Sequence, residues 1–418
     1  MKIYKFGGAS VRSAQGIKNL EYILRQETGS LFVVISAMGK TTNAMEMVLD
    51  YFVNRQTEQL QNKWQEVKDY HLSVATDLTD DKEWANDVLS PVFQQVEHIF
   101  SDVVPMDYDQ TYDSLVSYGE ILSTTLIASY LKRVGLDACW LDMRRLLRTD
   151  SNFREATVHL ETSQHTLMEA IQENKANIYI GQGFIAGNKH GQPTTLGREG
   201  SDYTAAVVGN LLNAESVTIW KDVPGILNAD PRLFADTVLI PELTYYDAVE
   251  LAYSGAQIIH PKTIKPLENK SIPLYVKPFE NPQAAGSVIK ANVSSAIDVP
   301  VLIVRKNQVL ITIRPLDFSF VLENSLSKLF ALLDKHRLKV SLIQSSAVTI
   351  SVCVDNVKRL SAALDELGNE FKVSYNEGLE LLTVRGVTND VENKVTADRD
   401  VLIKQRTRRT AKYLMKSI

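Results

Sequence analysis

The feature that most constrains the fold is an almost uninterrupted apolar run, LFVVIS, at residues 31–36. A strand without alternating polar positions is buried on both faces, as in a parallel sheet covered by helices. Further short β-rich runs alternate with stretches of helical periodicity; they lie at residues 1–6, 177–180, 216–220 and 272–276. This alternation predicts an α/β domain over residues 1–292, with a central, mostly parallel sheet flanked by helices.

Two segments depart from that pattern. Residues 43–118 are polar, rich in Gln and poor in Gly, with apolar residues at helical spacing, so we predict a helical hairpin inserted into the α/β domain. The pattern breaks again at 282–296, and beyond it short elements follow in the order β-α-β-β-α. That order predicts small α+β modules in the C-terminal part of the chain.

Composition argues against several classes of function. A formal net charge of -5 over 418 residues provides no broad basic field, which disfavours nucleic acid as a partner. Cys139 and Cys353 lie far apart in apolar surroundings and indicate core thiols in a reducing compartment. The sequence begins without an apolar signal segment and has no apolar run long enough to span a membrane. We therefore expect a cytoplasmic protein without a membrane partner.

Three familiar motifs are matched only in part. GKTT at 39–42 resembles the end of a phosphate-binding P-loop, but Val34 stands where that loop requires glycine. GQGFIA at 181–186 fits a dinucleotide fingerprint, but a loop-forming sequence follows where a helix is required. The seven histidines are scattered without metal-ligand spacing, so we expect no metal site built from protein ligands.

Two segments contain the residue types that phosphoryl transfer needs, namely backbone N–H groups and cations around phosphates and a firmly held acceptor. The first predicted strand ends in KFGGAS at 5–10, where paired glycines let the backbone approach an anion and a following helix would add its dipole. In TTLGREGSD at 194–202, Arg198 stands between two glycines, where its guanidinium would grip a carboxylate in bidentate fashion. Ser201 or Asp202 is either a ligand contact or a simple helix N-cap.

A third segment, WKDVPGILNADPR at 220–232, follows a predicted buried strand, at the end where ligands collect in open α/β sheets. With it, essentially the whole chain resembles the aspartate kinases of the amino-acid kinase family, through KFGGAS, SAMGKTTN, YGEILS, GFIAG, TTLGREGSDYTA and GAQIIHP in the family's order and spacing. The helical insertion resembles that of the lysine-sensitive type. The resemblance implies ATP-dependent phosphorylation of the L-aspartate β-carboxylate to 4-phospho-L-aspartate, the first step of lysine, threonine and methionine biosynthesis. It also implies Mg2+ held mainly through phosphate oxygens.

The resemblance implies a role for each matching residue. Lys5 and Asp202 would be catalytic, with the carboxylate orienting the lysine near the phosphates. The implied ATP-binding residues are Lys5, Gly7, Gly8, Ser10, Lys221, Asp222, Leu227, Arg232 and Gln257. The implied aspartate-binding residues are Thr42, Glu120, Phe184, Thr195, Arg198 and Ser201. Among these, Arg198 would hold a carboxylate and Glu120 the ammonium group.

Two positions depart from the family's pattern. Ala9 stands where the family usually has Thr, and Gln257 where it usually has Lys. The missing cation predicts weaker ATP binding unless Lys262 compensates. These departures leave open a catalytically weakened, ACT-based regulator that binds amino acids. Another amino-acid kinase is a second alternative, which Arg198 in GREGSD and the C-terminal modules disfavour.

The C-terminal part resembles the paired ACT domains that follow the kinase domain in this family. Residues 307–368 would form one domain, and residues 296–306 with 369–418 a second, shortened one. Such domains pair across a dimer, so we expect a homodimer through them, with a tetramer as the alternative. The implied effector positions are Ser341 and Ser345, and the family's acidic residue is absent at 341. We therefore expect weak or no inhibition by lysine.

Overall fold

The chain forms two compact units. The computed structural model describes residues 1–101, 107–256, 259–294, 297–316 and 323–417. The first unit consists of Met1–Ile226, Leu239–Val249 and Gln257–Ala296, and the second of Leu227–Val238, Glu250–Ala256 and Ile297–Ile418.

Strands and helices alternate through the first unit, as the sequence predicts. Its strands are β1 (Lys2–Phe6), β2 (Leu31–Ile35), β3 (Ala138–Leu141), β4 (Arg148–Thr149), β5 (Ile178–Gln182), β6 (Ile185–Asn188), β7 (Pro193–Thr195), β8 (Ser216–Lys221), β9 (Glu242–Thr244), β10 (Leu274–Pro278) and β11 (Ser287–Lys290). Its helices are α1 (Ala14–Arg25), α2 (Thr41–Val53), α3 (Thr57–Thr79), α4 (Lys82–Ser101), α5 (Tyr108–Val116), α6 (Tyr118–Arg133), α7 (Met143–Leu146), α8 (Leu160–Glu173), α9 (Gly200–Leu211), α10 (Tyr245–Ser254) and α11 (Pro261–Glu268). Helix α10 belongs to the first unit only up to Val249.

Eight strands form the main sheet of the first unit, in the order β3-β5-β2-β1-β8-β10-β11-β9. All neighbouring strands are parallel except β10 and β11. Every residue of β2 is buried, which agrees with the apolar run from which the α/β class is predicted. Phe6 pairs in register with Ile35 and Trp220, so the carboxyl ends of the three central strands lie at one edge. That edge brings together the loops that carry the candidate site residues.

The segment at 43–118 is more elaborate than the predicted hairpin. Helices α3 and α4 form the long pair, but α2 and α5 are helical as well. Trp64 and Phe93 pack edge to face between the long helices, with ring centroids 5.8 Å apart. The prediction of a single hairpin was wrong because α2 and α5, of 13 and 9 residues, span fewer turns than α3 and α4 and so give a shorter periodic signal.

The second unit contains a six-stranded sheet of order β13-β14-β12-β15-β17-β16, whose pairings are all antiparallel. Its strands are β12 (Val301–Pro315), β13 (Val340–Ser345), β14 (Ile350–Asp355), β15 (Phe371–Arg385), β16 (Val401–Arg406) and β17 (Thr410–Lys416), and its helices α12 (Glu323–Lys335), α13 (Leu360–Glu370) and α14 (Asn389–Thr396). A core that includes Leu329, Val352 and Leu367 lies between the sheet and the helices α12 and α13.

Helix α14 is only eight residues long, in agreement with the weak helical signal at that position. Within the ranges described, no helix is long and apolar enough to cross a membrane. Cys139 and Cys353 are both free thiols.

Candidate active site

Two loops meet at the carboxyl ends of β1 and β2. The Gly39 N–H donates to the Gly8 carbonyl (2.9 Å), and the Ser36 N–H donates to the Phe6 carbonyl (3.1 Å). A Cβ atom on Gly8 would lie 2.5 Å from the carbonyl oxygen of Ala37, so only glycine permits this approach. The nearest following helix, α1, begins only at Ala14 with Ser13 as its N-cap. The helix expected after the KFGGAS segment is therefore present, separated from Ser10 by three residues.

An ion pair with Asp202 holds the Lys5 side chain beside Gly7. Lys5 Nζ lies 2.6 Å from Asp202 Oδ1, and Lys221 Nζ lies 3.5 Å from Asp202 Oδ2. A Cβ on Gly7 would lie 3.5 Å from Lys5 Nζ, which places the ammonium group beside the glycine backbone. Burial by itself would raise the pKa of Asp202, but the charges of Lys5 and Lys221 outweigh it and hold that pKa below its usual value. The carboxylate thus stays ionised between two cations.

Glu120 provides a buried carboxylate beside the same loops. It lies in the first turn of α6 and is 2% exposed. Its Oε1 accepts a long hydrogen bond from the Ala37 N–H (3.4 Å), and Oε2 has no hydrogen-bond partner among the residues described. Burial raises the pKa of Glu120 to about 8, against the lowering effect of the Ala37 N–H. An oxygen buried without a partner costs about 1–3 kcal/mol, so this carboxyl is suited to a cationic ligand.

Glycine also lets α2 and α6 approach each other next to Glu120. A Cβ on Gly119 would lie 3.2 Å from the Ala37 Cβ and 3.9 Å from the Thr42 backbone nitrogen. Thr42 is half-buried in the first turn of α2. Thr42 therefore lies close to Gly119 and to the adjacent Glu120.

Residues 195–200, here called the acceptor loop, join β7 to α9. Gly197 and Glu199 have positive φ angles of 75° and 53°. Glu199 occupies the N-cap position of α9 without a capping side-chain hydrogen bond, so neither Ser201 nor Asp202 is the N-cap. Arg198 is exposed, and no hydrogen bond or ion pair engages it within the described part of the chain. Its guanidinium is available to an anionic ligand.

Close backbone approaches fix the base of this loop. A Cβ on Gly183 would lie 2.5 Å from the Ser201 Cβ, so Ser201 rests directly on the end of β5. The Phe184 N–H donates to Thr204 Oγ1 (3.0 Å), and its carbonyl accepts from the Leu196 N–H (2.9 Å). Phe184 has therefore already committed its N–H to the protein, and only a second lone pair of its carbonyl remains for a ligand.

Thr195 is enclosed more completely than a ligand contact would require. Its side chain is fully buried, its Oγ1 donates to Asp113 Oδ1 (2.7 Å), and its N–H donates to Asp113 Oδ2 (2.8 Å). Its implied role in substrate binding stays a prediction. Sequence reasoning missed Asp113, which is 82 residues away in the chain and matches no motif.

Known proteins of one family resemble this chain in sequence. The sequence profile described as Amino acid kinase family matches residues 1–278. Lysine-sensitive aspartokinase 3 of Escherichia coli K12 is 28% identical over 96% of this chain and 89% of its own length. The aspartokinase of Chlamydia trachomatis serovar D is 33% identical over 72% of this chain and 67% of its own length. This chain belongs to the aspartokinases of the amino acid kinase family.

The fold of this aspartokinase agrees with a solved relative. The crystal structure of E. coli aspartokinase III in complex with aspartate and ADP superimposes with a TM-score of 0.83 at 26% identity, covering 100% of this chain and 96% of that one. The predicted fold class, an amino-acid kinase fold followed by a C-terminal α+β part, is therefore confirmed.

The residues implied for nucleotide binding belong to two different units of this aspartokinase. Lys221 faces Asp202 in the first unit, and Asp222 beside it is exposed. Leu227 and Arg232 belong to the second unit, where Arg232 makes a bidentate ion pair with Asp230. Gln257 lies outside the described residues.

From the sequence, Lys262 is the cation expected to compensate for the absence of lysine at position 257. In the structure it lies beside the acceptor loop. Its Nζ donates to the Leu196 carbonyl (3.1 Å) and lies 4.5 Å from the centroid of the Tyr203 ring. Burial lowers the pKa of Lys262, with Glu155 and Asp150 acting in the opposite direction. Its observed contacts support the loop.

The implied effector positions lie on β13 in the second unit. Ser341 is buried, its Oγ accepts from Arg305 Nη1 (2.7 Å), and its carbonyl accepts from Lys412 Nζ (2.9 Å). Ser345 is exposed at the end of the strand. The residues immediately before α12, at 317–322, lie outside the described part of the chain.

Proposed function

We propose that this chain transfers the γ-phosphoryl group of ATP to the β-carboxylate of L-aspartate, which begins the biosynthesis of lysine, threonine and methionine. The observation that best supports the proposal is the Oε2 atom of buried Glu120, next to Ala37, which has no hydrogen-bond partner among the described residues. Ala37 in turn contacts Gly8, one residue from the glycine over which Lys5 lies. An ammonium site and a phosphate site are thus separated by a single loop.

The proposed chemistry needs no general base. The side chain of free aspartate has a pKa near 3.9, so the acceptor is an ionised carboxylate at neutral pH. One of its oxygens forms the bond to the γ-phosphorus. The bond from that phosphorus to the bridging oxygen breaks, and ADP leaves with the electron pair. The protein supplies position and charge, which account for most of the rate in such reactions.

Each side chain then has a limited task. Lys5, held by Asp202, would neutralise charge on the transferring phosphoryl group. Glu120 would accept hydrogen bonds from the substrate ammonium, and Arg198 would bind a substrate carboxylate in bidentate fashion. Gly7 and Gly8 would present backbone N–H groups to the phosphates, and Ser10 would contribute its hydroxyl, because its N–H already donates to the Gly7 carbonyl (3.0 Å).

Magnesium, which neutralises phosphate charge when bound, would be held mainly by phosphate oxygens. Across the described ranges, no group of three or more His, Cys, Asp or Glu side chains could hold a metal ion. Asp202 is already paired with two lysines. This donor set suits a magnesium ion that arrives with ATP and keeps several waters.

An acceptor panel tests the proposed function. Purified protein is incubated with ATP, Mg2+ and one acceptor, ADP is measured, and hydroxylamine traps any acyl phosphate as a hydroxamate. We expect both products with L-aspartate and neither with L-glutamate, acetylglutamate, carbamate or UMP. D-aspartate is the matched control, because it has the same groups in mirror arrangement. ADP release with another acceptor would identify a different amino-acid kinase, and no turnover at all would favour a regulator.

The C-terminal unit would form the ACT domains, with residues 307–368 in one and 296–306 with 369–418 in the other. Both halves supply strands to one antiparallel sheet, which supports an interleaved pair. We expect a homodimer through these domains, with a tetramer as the alternative outcome of a light-scattering measurement. A cytoplasmic location would provide both ATP and the reducing conditions that keep Cys139 and Cys353 as thiols.

A further inference from the structure

Asp113 on α5 is a buried carboxylate whose hydrogen bonds all go to segments around the acceptor loop. Its Oδ1 accepts from Thr195 Oγ1 (2.7 Å), and its Oδ2 accepts from the Thr195 N–H (2.8 Å) and the Arg154 N–H (2.9 Å). The side chain is fully buried. Burial raises the pKa of the Asp113 carboxyl above its usual value, and the hydrogen bonds from Thr195 and Arg154 oppose that effect only in part. Asp113 thus joins α5 to the residue from which the acceptor loop starts.

Arg154 provides a second connection between α5 and the acceptor loop. Arg154, at a φ of 68°, makes an ion pair with Asp109 (3.1 Å) and lies over the Tyr112 ring at 4.4 Å from its centroid. The Arg154 carbonyl oxygen would lie 3.2 Å from a Cβ on Gly197. The turn held by α5 therefore packs against the glycine that precedes Arg198.

The hydroxyl of Thr195 is committed to Asp113 and is not accessible to a ligand. Arg198, three residues further on, is exposed and has no protein partner in the described ranges. The backbone of the loop between the two residues sets the position from which the Arg198 side chain extends. At its other end the loop is fixed by the Gly200 N–H, which donates to the Gly197 carbonyl (3.0 Å).

We propose that Asp113 is a positioning residue for acceptor recognition, which sets the direction of Arg198 by fixing Thr195 and, through Arg154, Gly197. It contacts neither the acceptor nor the phosphates in this proposal. The inference rests on the proposed function, because it assigns Arg198 to a carboxylate of the acceptor. It gives the helical insertion, to which α5 belongs, a part in substrate recognition.

The test is the Asp113→Asn variant, which keeps the shape of the side chain. One amide oxygen can still accept from backbone N–H groups, but the NH2 group reverses the hydrogen bond with Thr195. We expect kcat/KM for L-aspartate to fall about tenfold, because misplaced binding groups lose much of their effect, with KM for ATP unchanged. Ser114→Ala on the same helix is the matched control and should leave both constants unchanged.

A double-mutant cycle separates positioning from general destabilisation. If Asp113 acts through Arg198, the Asp113→Asn change should have little further effect on kcat/KM in an Arg198→Ala background. Full additivity of the two effects would overturn the proposal, as would an unchanged kcat/KM for aspartate in a folded Asp113→Asn protein. Inactivity of the wild-type protein with aspartate would instead refute the proposed function. Thermal unfolding of each variant verifies that the protein remains folded.

Discussion

Lys5 Nζ and Asp202 Oδ1 are 2.6 Å apart, and their side chains are only 10% and 5% exposed. The lysine comes from β1 and the aspartate from the first turn of α9, so the ion pair joins the central strand to the helix that follows the acceptor loop. Buried ion pairs add little net stability, because desolvation offsets much of their attraction. A pair in this position is better explained by the need for a fixed cation beside Gly7 and Gly8.

Removal of the ammonium group should therefore affect catalysis more than folding. In Lys5→Met the stem is retained, and we expect kcat to fall on the order of 10²–10³-fold, as for the loss of one charge-stabilising donor. The loss of stability should be below the about 3–5 kcal/mol typical of a broken buried pair, because Lys221 still faces Asp202. Steady-state kinetics and thermal unfolding measure the two effects. Lys18→Met, on the exposed face of α1, is the control, and a comparable loss of kcat there would contradict the assignment.

The raised pKa of Glu120, about 8, predicts pH-dependent acceptor binding. In the free enzyme the carboxyl is protonated below that value, and it must lose its proton to accept the substrate ammonium. We expect kcat/KM for aspartate to rise between pH 6 and pH 8, by at most about tenfold per pH unit. In Glu120→Gln the value should be low and this rise absent. A flat profile for the wild type would contradict the role of Glu120.

The same group predicts a dependence of stability on pH. The folded state keeps a proton on Glu120 that the unfolded chain releases above its ordinary pKa of 4.5. The folded state therefore binds more protons between 4.5 and about 8, and the free energy of unfolding falls as pH rises through that window. Urea unfolding of ligand-free protein at several pH values measures the effect. Glu120→Gln should be less sensitive to pH, and an identical pH dependence in both proteins would argue against the shift.

The contact between Gly8 and Ala37 gives a steric prediction. In Gly8→Ala the new Cβ would meet a backbone oxygen at 2.5 Å, so the two strand-end loops must separate. We expect a loss of about 1–3 kcal/mol of stability, as for overpacked sites, together with a raised KM for ATP. Gly29→Ala is the matched control, because a Cβ there meets nothing within 4 Å. Equal behaviour of the two variants would refute the tight approach.

The α/β class and the local motifs could be predicted from the sequence because they depend on contiguous residues. The run at 31–36 predicted β2, which is buried at every position. In contrast, residues 301–315 contain two apolar runs separated by polar residues, yet they form one strand of 15 residues, β12. The polar residues near 305–308 mark a shift of register in its pairing with β15, and the ladder continues beyond that bulge. Periodicity detects the interruption but not the continued pairing.

The resemblance to the family implied that Asp202 orients Lys5. No feature of the sequence indicated a role for Asp113. Its partners Arg154 and Thr195 are 41 and 82 residues away, and a helical Asp is usually solvated. The buried, hydrogen-bonded environment of Asp113 becomes visible only when α5 packs against the acceptor loop in the structure. Contacts between distant segments are set by tertiary structure, and one sequence carries no pattern for them.

The contacts of Ser341 lead to a prediction about inhibition by lysine. If an effector ammonium binds at this position, as the resemblance implies, it would meet the Ser341 hydroxyl, already bonded to Arg305, in place of the implied carboxylate. The missing charge-assisted hydrogen bond is worth about 1.5–3 kcal/mol, which weakens binding by about ten- to hundredfold. We therefore expect millimolar lysine to leave the steady-state rate nearly unchanged, and calorimetry to detect weak or no binding. Threonine, assayed in parallel, shows whether another amino acid acts at this unit. Strong inhibition by millimolar lysine would mean that other residues supply the missing carboxylate.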